Sequence, residues 1–268
     1  MRPRKRFGQH FLEPAWVEKL LAVIGPAPSD RFLEIGPGRG AITIPLAAST
    51  DRLLAVEIDR DLSARLQALA LPNTTVVTGD VLDLTLESLL SRELGASAAN
   101  RIRIVGNLPY NVSSPILFRL LDLAAATNAV SDASLMLQQE VANRLAARPG
   151  TREYGVLTVA VALGATVTPL LALPPGAFRP PPKVRSTVVR LTFGPPPINV
   201  PDPALLMGIV RSIFTQRRKM LGNALDPFAT ARGRDARQVL ATAGLDPRRR
   251  PETLELAELV RLTAGFAR

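Results

Sequence analysis

The sequence has no cysteine, a single histidine and only 4% aromatic residues in 268. Without thiols the chain makes no disulfide, no thiolate zinc site and no iron–sulfur cluster. One imidazole, that of His10, is too few for a multi-histidine metal centre and argues against a Ser-His-Asp hydrolase. No metal requirement is therefore expected. Unbroken apolar runs are also scarce. The stretch Tyr154 to Phe178 carries no charge and is long enough to span a membrane, but Gly164, Pro169, Pro174 and Pro175 interrupt it. It reads instead as a buried helix, Gly155 to Leu163, followed by a strand, Ala165 to Leu171. Glu13, Glu18 and Lys19 break any apolar core of an export signal, so a cytoplasmic location without membrane attachment is expected.

What the chain does have is an excess of positive charge, 33 Lys and Arg against 23 Asp and Glu, and it is unevenly placed. Arg2, Arg4, Lys5 and Arg6 give the first ten residues +4, residues 11–193 carry only +1, and residues 194–268 carry +5. A nearly neutral middle with basic ends suits a catalytic core whose flanks hold a polyanion through salt-sensitive phosphate contacts. A solvated basic surface gives the same count, so charge alone does not decide.

From residue 31 to 138, β-rich runs alternate with helical patterns. The strands are expected at Arg31–Ile35, Arg52–Ile58, Thr74–Thr78, Arg101–Val105 and Ala133–Gln138, with a closing strand in Lys183–Phe193. Such alternation predicts an α/β fold, a Rossmann-like parallel sheet covered on both faces, with ligands at the carboxyl ends of its strands. Residues 139–163 read as helical. Gly194-Pro195-Pro196-Pro197 is a stiff linker, which divides the chain into a domain of residues 1–193, with a basic arm at 1–10, and a helical domain of residues 194–268. In the latter, Asp202 and Pro203 form a helix start ahead of the stripe Leu205, Leu206, Ile209, Val210 and Ile213, and a later helix covers roughly Glu252–Gly265.

The strand ends carry the chemistry. Glu34-Ile35-Gly36-Pro37-Gly38 is a strand running into a glycine turn, a weak signal by itself, since Gly36, Gly38 and Ala41 also meet the relaxed dinucleotide pattern. Glu57 ends the second strand, placed to bond both hydroxyls of a ribose, and Asp80, followed by Val81, ends the third, placed to accept from an adenine amine. Gly, Glu and Asp on three successive strand ends suit an adenosine whose remainder is cationic, and the carboxylate of Glu34 repels no sulfonium. This points to S-adenosylmethionine. Turn bracing by Glu34 and Asp80 is the plainer alternative.

The fourth strand leads into Gly106-Asn107-Leu108-Pro109-Tyr110-Asn111. An exocyclic amine on adenine is a poor nucleophile because its lone pair is delocalised into the ring. Two acceptors, the Asn107 side-chain oxygen and the Leu108 carbonyl, can draw it towards tetrahedral geometry while Pro109 fixes the backbone and Tyr110 stacks on the base. Alignment then supplies most of the rate, with no strong general base. The absence of cysteine excludes carbon-5 pyrimidine methylation, which needs a thiol adduct. Phe178, ahead of Arg179-Pro180-Pro181-Pro182-Lys183-Val184, is placed to pin an extruded base from the other side, or else is a core residue.

Taken in order, Arg6-Phe7-Gly8-Gln9-His10-Phe11-Leu12, Glu34-Ile35-Gly36-Pro37-Gly38, Val56-Glu57-Ile58-Asp59, the Asn107 motif, Phe178 to Val184, and Phe214-Thr215-Gln216-Arg217-Arg218-Lys219 resemble the small-subunit ribosomal RNA adenine N6,N6-dimethyltransferases. The resemblance spans nearly the whole chain. It implies an S-adenosylmethionine-dependent enzyme that dimethylates two adjacent adenosines in the 3′-terminal hairpin of small-subunit rRNA, inside a nearly assembled subunit and as a late assembly checkpoint. It further implies that His10 and Leu12 touch the donor, that Gly36, Glu57, Asp80 and Asn107 hold it, and that Asn107, Tyr110 and Phe178 handle the base. The family usually has asparagine in place of His10.

Arg4, Lys5, Arg6, Lys183, Arg217, Arg218, Lys219, Arg248 and Arg249 are candidate RNA contacts. A monomer is expected. Three competing readings are an assembly factor that acts by docking, a large-subunit rRNA methylase of the erythromycin-resistance type, and a nicotinamide-dependent oxidoreductase. The last leaves the Asn107 motif unexplained.

Overall fold

A computed structural model of the chain describes residues 10–266. The described chain divides into two compact units, one made of the stretch up to Ala142 with Thr166–Gly194, the other of Asn143–Ala165 with the stretch from Pro195 onward.

In the first unit a short strand β1 (Phe11–Leu12) leads into helix α1 (Pro14–Ile24). Strands β2 (Arg31–Ile35), β3 (Arg52–Glu57), β4 (Thr74–Thr78), β5 (Ile102–Asn107) and β6 (Val130–Gln138) follow, separated by helices α2 (Thr43–Ala47), α3 (Arg60–Gln67), α4 (Leu86–Leu94) and α5 (Ser113–Thr127). Helix α6 (Gln139–Leu145) comes next, and after an excursion into the second unit the chain returns as β7 (Ala165–Leu173), β8 (Phe178–Arg179) and β9 (Ser186–Phe193). The large sheet has the order β4-β3-β2-β5-β6-β9-β7, with β4 to β6 parallel and β9 antiparallel to β6. This is the α/β, Rossmann-like sheet expected.

Its central strands are continuous apolar runs because both faces are covered. Phe32, Leu33, Leu53, Leu54, Ile102 and Ile104 are all buried. Pro169 lies inside β7, which is an edge strand of the sheet, the place where proline is accommodated in sheets. β2 sits between β3 and β5, so the chain winds one way through β3 and β4 and the other way through β5 and β6. The gap this reversal leaves outside the carboxyl ends of β2 and β5 is where such sheets take ligands.

The second unit is helical. It contains α7 (Val156–Ala162), α8 (Pro203–Thr215), α9 (Leu221–Thr230), α10 (Ala236–Thr242) and α11 (Leu256–Ala264). Asp202 caps α8 by accepting from the Leu205 N–H, with Pro203 at the first helical position. Leu206, Ile209, Val210 and Ile213 face the core of this unit.

Two expectations need correction. Residues 139–163 are not one helix: α6 ends at Leu145, α7 begins after Gly155, and the connection between them turns at Pro149-Gly150, with Gly150 at φ +84°. Nor do residues 143–165 belong to the first domain. Tyr154 and Val159 are buried in the helical unit's core, the Tyr154 hydroxyl donates to the Leu254 carbonyl at 2.8 Å, and the Gly150 N–H donates to the Glu252 carbonyl. Among the described residues no helix is long and apolar enough to cross a membrane.

Candidate active site

An open cleft lies at the β2/β5 reversal, lined among others by Gly36, Glu57, Asn107 and Tyr110. Its floor depends on two strands lying unusually close: Ile35 pairs with Gly106, and a Cβ at Gly106 would fall 2.9 Å from the Ile35 carbonyl oxygen. Only glycine fits there. Gly36 and Gly38 turn with φ of +70° and +59°, and a Cβ on Gly38 would meet the Phe11 ring at 3.1 Å.

Glu57 closes this turn. Its Oε2 accepts from the Gly38 N–H and its Oε1 from the Asp59 N–H, both at 2.9 Å. Burial pushes its carboxyl above the usual carboxylate range, against the pull of those two donors. Ile58, directly after it, lines the cleft and stays 42% exposed, an apolar surface beside a carboxylate. The Arg39 guanidinium lies over the Phe11 ring, 4.2 Å from its centroid.

Across the cleft stands the β5 end. Asn107 donates its side-chain N–H to the His10 carbonyl at 2.7 Å, which orients the carboxamide and directs its oxygen away from that bond. Leu108 is buried, and its N–H donates to the Met136 carbonyl at 3.3 Å. Pro109 begins a turn closed by the Val112 N–H. The Tyr110 hydroxyl shares a 2.7 Å hydrogen bond with Ser186, and burial raises its pKa. The His10 ring stacks on Tyr110, and its Nδ1 bonds the Pro180 carbonyl at 2.7 Å.

The cleft thus brings together His10, Leu12, Gly36, Gly38, Glu57, Asn107, Leu108, Pro109 and Tyr110. Other candidates lie elsewhere. Glu34 is 1% exposed and packed beneath the turn near Thr43 and Glu57, where burial raises its pKa to about 8, so it is mostly protonated at neutral pH. Asp80 lies at the end of β4, its Oδ1 accepting from the Leu82 N–H, and Val81 is buried; neither lines this cleft. Phe178 is fully buried among Leu12, Val17, Leu20 and Val188, so in this conformation it presents no ring to a base. His10 was expected to face the donor, but its Nδ1 and one ring face are committed to Pro180 and Tyr110. Phe11, Ile42 and Ile58 line the cleft without having been anticipated; Ile58 alone carried a signal, its position next to a strand-ending acid.

The basic candidates also separate. Arg4, Lys5 and Arg6 lie outside the described residues. Lys183, Arg218 and Lys219 are exposed. Arg217 pairs with Glu252 at 3.2 Å and donates to the Arg152 carbonyl, while Arg249 makes a bidentate pair with Glu258, so both serve the fold of the helical unit rather than a free surface. Arg248 is exposed but pairs with Asp246 at 3.0 Å.

The donor set discriminates between cofactors. A pyrophosphate needs free loop N–H groups and a helix N-terminus, but here the Gly38 N–H is taken by Glu57 and α2 does not begin until Thr43. A carboxylate next to an apolar shelf, with a carboxamide oxygen opposite, fits a nucleoside with a cationic tail. The family model for ribosomal RNA adenine dimethylase matches residues 1–262.

The chain belongs to the ribosomal RNA adenine dimethylase family.

The family's enzymes depend on S-adenosylmethionine, and the residues of this cleft fit that group. Ribosomal RNA small subunit methyltransferase A of Leptothrix cholodnii is 44% identical, over 98% of this chain and 92% of the relative. The protein of the same name from Nitrosococcus oceani is also 44% identical, over 98% and 95%. A dimethyladenosine transferase from Plasmodium falciparum superposes with a TM-score of 0.76 at 23% identity, over 96% of this chain and 97% of that one. The 23S rRNA methyltransferase ErmE gives 0.64 at 22%, over 96% and 99%. At these identities the two structures establish the shared fold only.

Proposed function

We propose that this family member methylates N6 of two adjacent adenosines in the 3′-terminal hairpin of small-subunit rRNA, twice each, within a nearly assembled subunit. The observation that carries the reading is the anchored Asn107 carboxamide. Its N–H is spent on the His10 carbonyl, so its oxygen stands as an acceptor at the end of β5, across from Gly36 and Glu57. The full-length relatives named for the small subunit favour this substrate over the large-subunit alternative.

S-adenosylmethionine supplies an electrophilic methyl group. The chain's own residues do the rest. Glu57 and the Gly36–Gly38 turn hold the nucleoside end, with Ile58 as its apolar shelf. Asp80 stands at the β4 end outside the cleft lining, and we assign it the adenine amine of a donor that extends beyond the cleft towards β4. The Asn107 oxygen and the Leu108 carbonyl accept the two hydrogens of the target amine, and so orient its lone pair along the line of attack. Tyr110 offers the base a ring whose position Ser186 fixes. Lys183, Arg218 and Lys219 meet RNA phosphates.

Incubating the protein with undermethylated small subunits and labelled donor, then mapping the modified nucleoside, tests the reading. Dimethyladenosine at two neighbouring positions is the expected product, and Asn107→Ala is expected to slow turnover on the order of 10²-fold or more, as loss of an oriented polar group does. Full turnover by Asn107→Ala sinks it.

A further inference from the structure

His10 brings two groups into the cleft with separate tasks. Its carbonyl holds the Asn107 amide, while its imidazole lies on the Tyr110 ring, centroids 5.5 Å and planes 24° apart, with Nδ1 on the Pro180 carbonyl. Both rings line the same cleft. Neither partner of the imidazole has much freedom. The Tyr110 hydroxyl is held by Ser186, and Pro180 follows β8, which pairs with β1 through Phe11↔Arg179 and Leu12↔Phe178. An aromatic face is also what a base meets when it is drawn out of a stack into an enzyme.

We propose that the His10 imidazole is a stand-in for the target base, occupying the Tyr110 face until an adenine, its amine held by Asn107 and Leu108, takes that face. Loading of the substrate then displaces a side chain of the enzyme, while the His10 carbonyl keeps the Asn107 carboxamide aimed. This inference rests on the adenine reading of the site. It makes the cleft selective: entry costs the imidazole its Tyr110 and Pro180 contacts, which a base offsets by stacking on Tyr110 and by the bonds of its amine to Asn107 and Leu108.

Because His10 is the chain's only histidine, its imidazole protons give a single set of NMR signals in the full-length protein. Titration with an RNA hairpin carrying two adjacent adenosines, in the presence of S-adenosylhomocysteine so that no turnover occurs, is expected to move those signals downfield as the Tyr110 ring current is lost. Signals that stay fixed at saturation overturn the proposal. In steady-state assays on undermethylated subunits, His10→Ala, which retains the carbonyl that holds Asn107, is expected to lower KM roughly fivefold, the equivalent of one stacking contact. A KM that is unchanged or raised, in a variant whose donor binding matches the parent's, overturns it as well. Failure of the adenine reading is separately visible, since the parent protein would then form no methyladenosine.

Discussion

At the scale of single residues, the site owes its shape to groups that spend their bonding capacity on one another. Glu57 gives both oxygens to backbone N–H groups and Asn107 gives its amide to a carbonyl, so each presents a defined remainder to the cleft. Glu34 is the costly member. Buried beside Thr43 and Glu57, it holds its proton up to about pH 8, whereas in the unfolded chain it releases it near 4.5. The native state therefore binds a proton that the unfolded state loses, and stability falls as pH rises between those two values. Glu34→Gln keeps the shape and removes that dependence. Its advantage over the parent in urea denaturation should be small at pH 5 and reach about 3 kcal/mol by pH 7 to 8. Equal midpoint shifts at pH 5 and pH 8 would refute the assignment.

At the scale of elements, much of the architecture could be read from sequence. β2 and β4 lie where the apolar runs at Arg31–Ile35 and Thr74–Thr78 placed them, and Asp202-Pro203 starts α8, because strand runs and caps are local signals. What escaped was non-local. Arg217 and Arg249 look like surface charge until Glu252 and Glu258 fold back on them, and nothing near Phe178 in the chain tells of the α1 residues that bury it. Arg103 is a third case. Its guanidinium joins Asp30 and Asp132, caps the end of α1 through the Ile24 and Gly25 carbonyls, and covers the Phe32 ring. Arg103→Ala leaves two half-buried carboxylates and the last turn of α1 without their shared donor. It should cost about 3 kcal/mol in chemical denaturation, and an unchanged midpoint would show the cluster to be dispensable.

At the scale of the whole molecule, part of the basic excess is spent on the fold, by Arg103, Arg217 and Arg249 among others, while Lys183, Arg218 and Lys219 stay exposed. Of the Arg217-Arg218-Lys219 run only the last two stand exposed, and among the described residues neither has an ion-pair partner. Arg218→Ala with Lys219→Ala should flatten the salt dependence of RNA binding by roughly 1.5 to 2 in the log–log slope and leave donor affinity alone. A slope matching the parent's would place the RNA elsewhere. Arg217→Ala should act instead through unfolding temperature, since it breaks the pair with Glu252.

The excursion that delivers α7 to the helical unit has a consequence for synthesis. The ribosome releases Val156–Ala162 well before α8 to α11 exist, so an oily segment waits in the nascent chain for partners made dozens of codons later. A polypeptide cut at the proline linker would keep that segment and lose its shelter for good, which makes Gly194 a poor place to divide this protein.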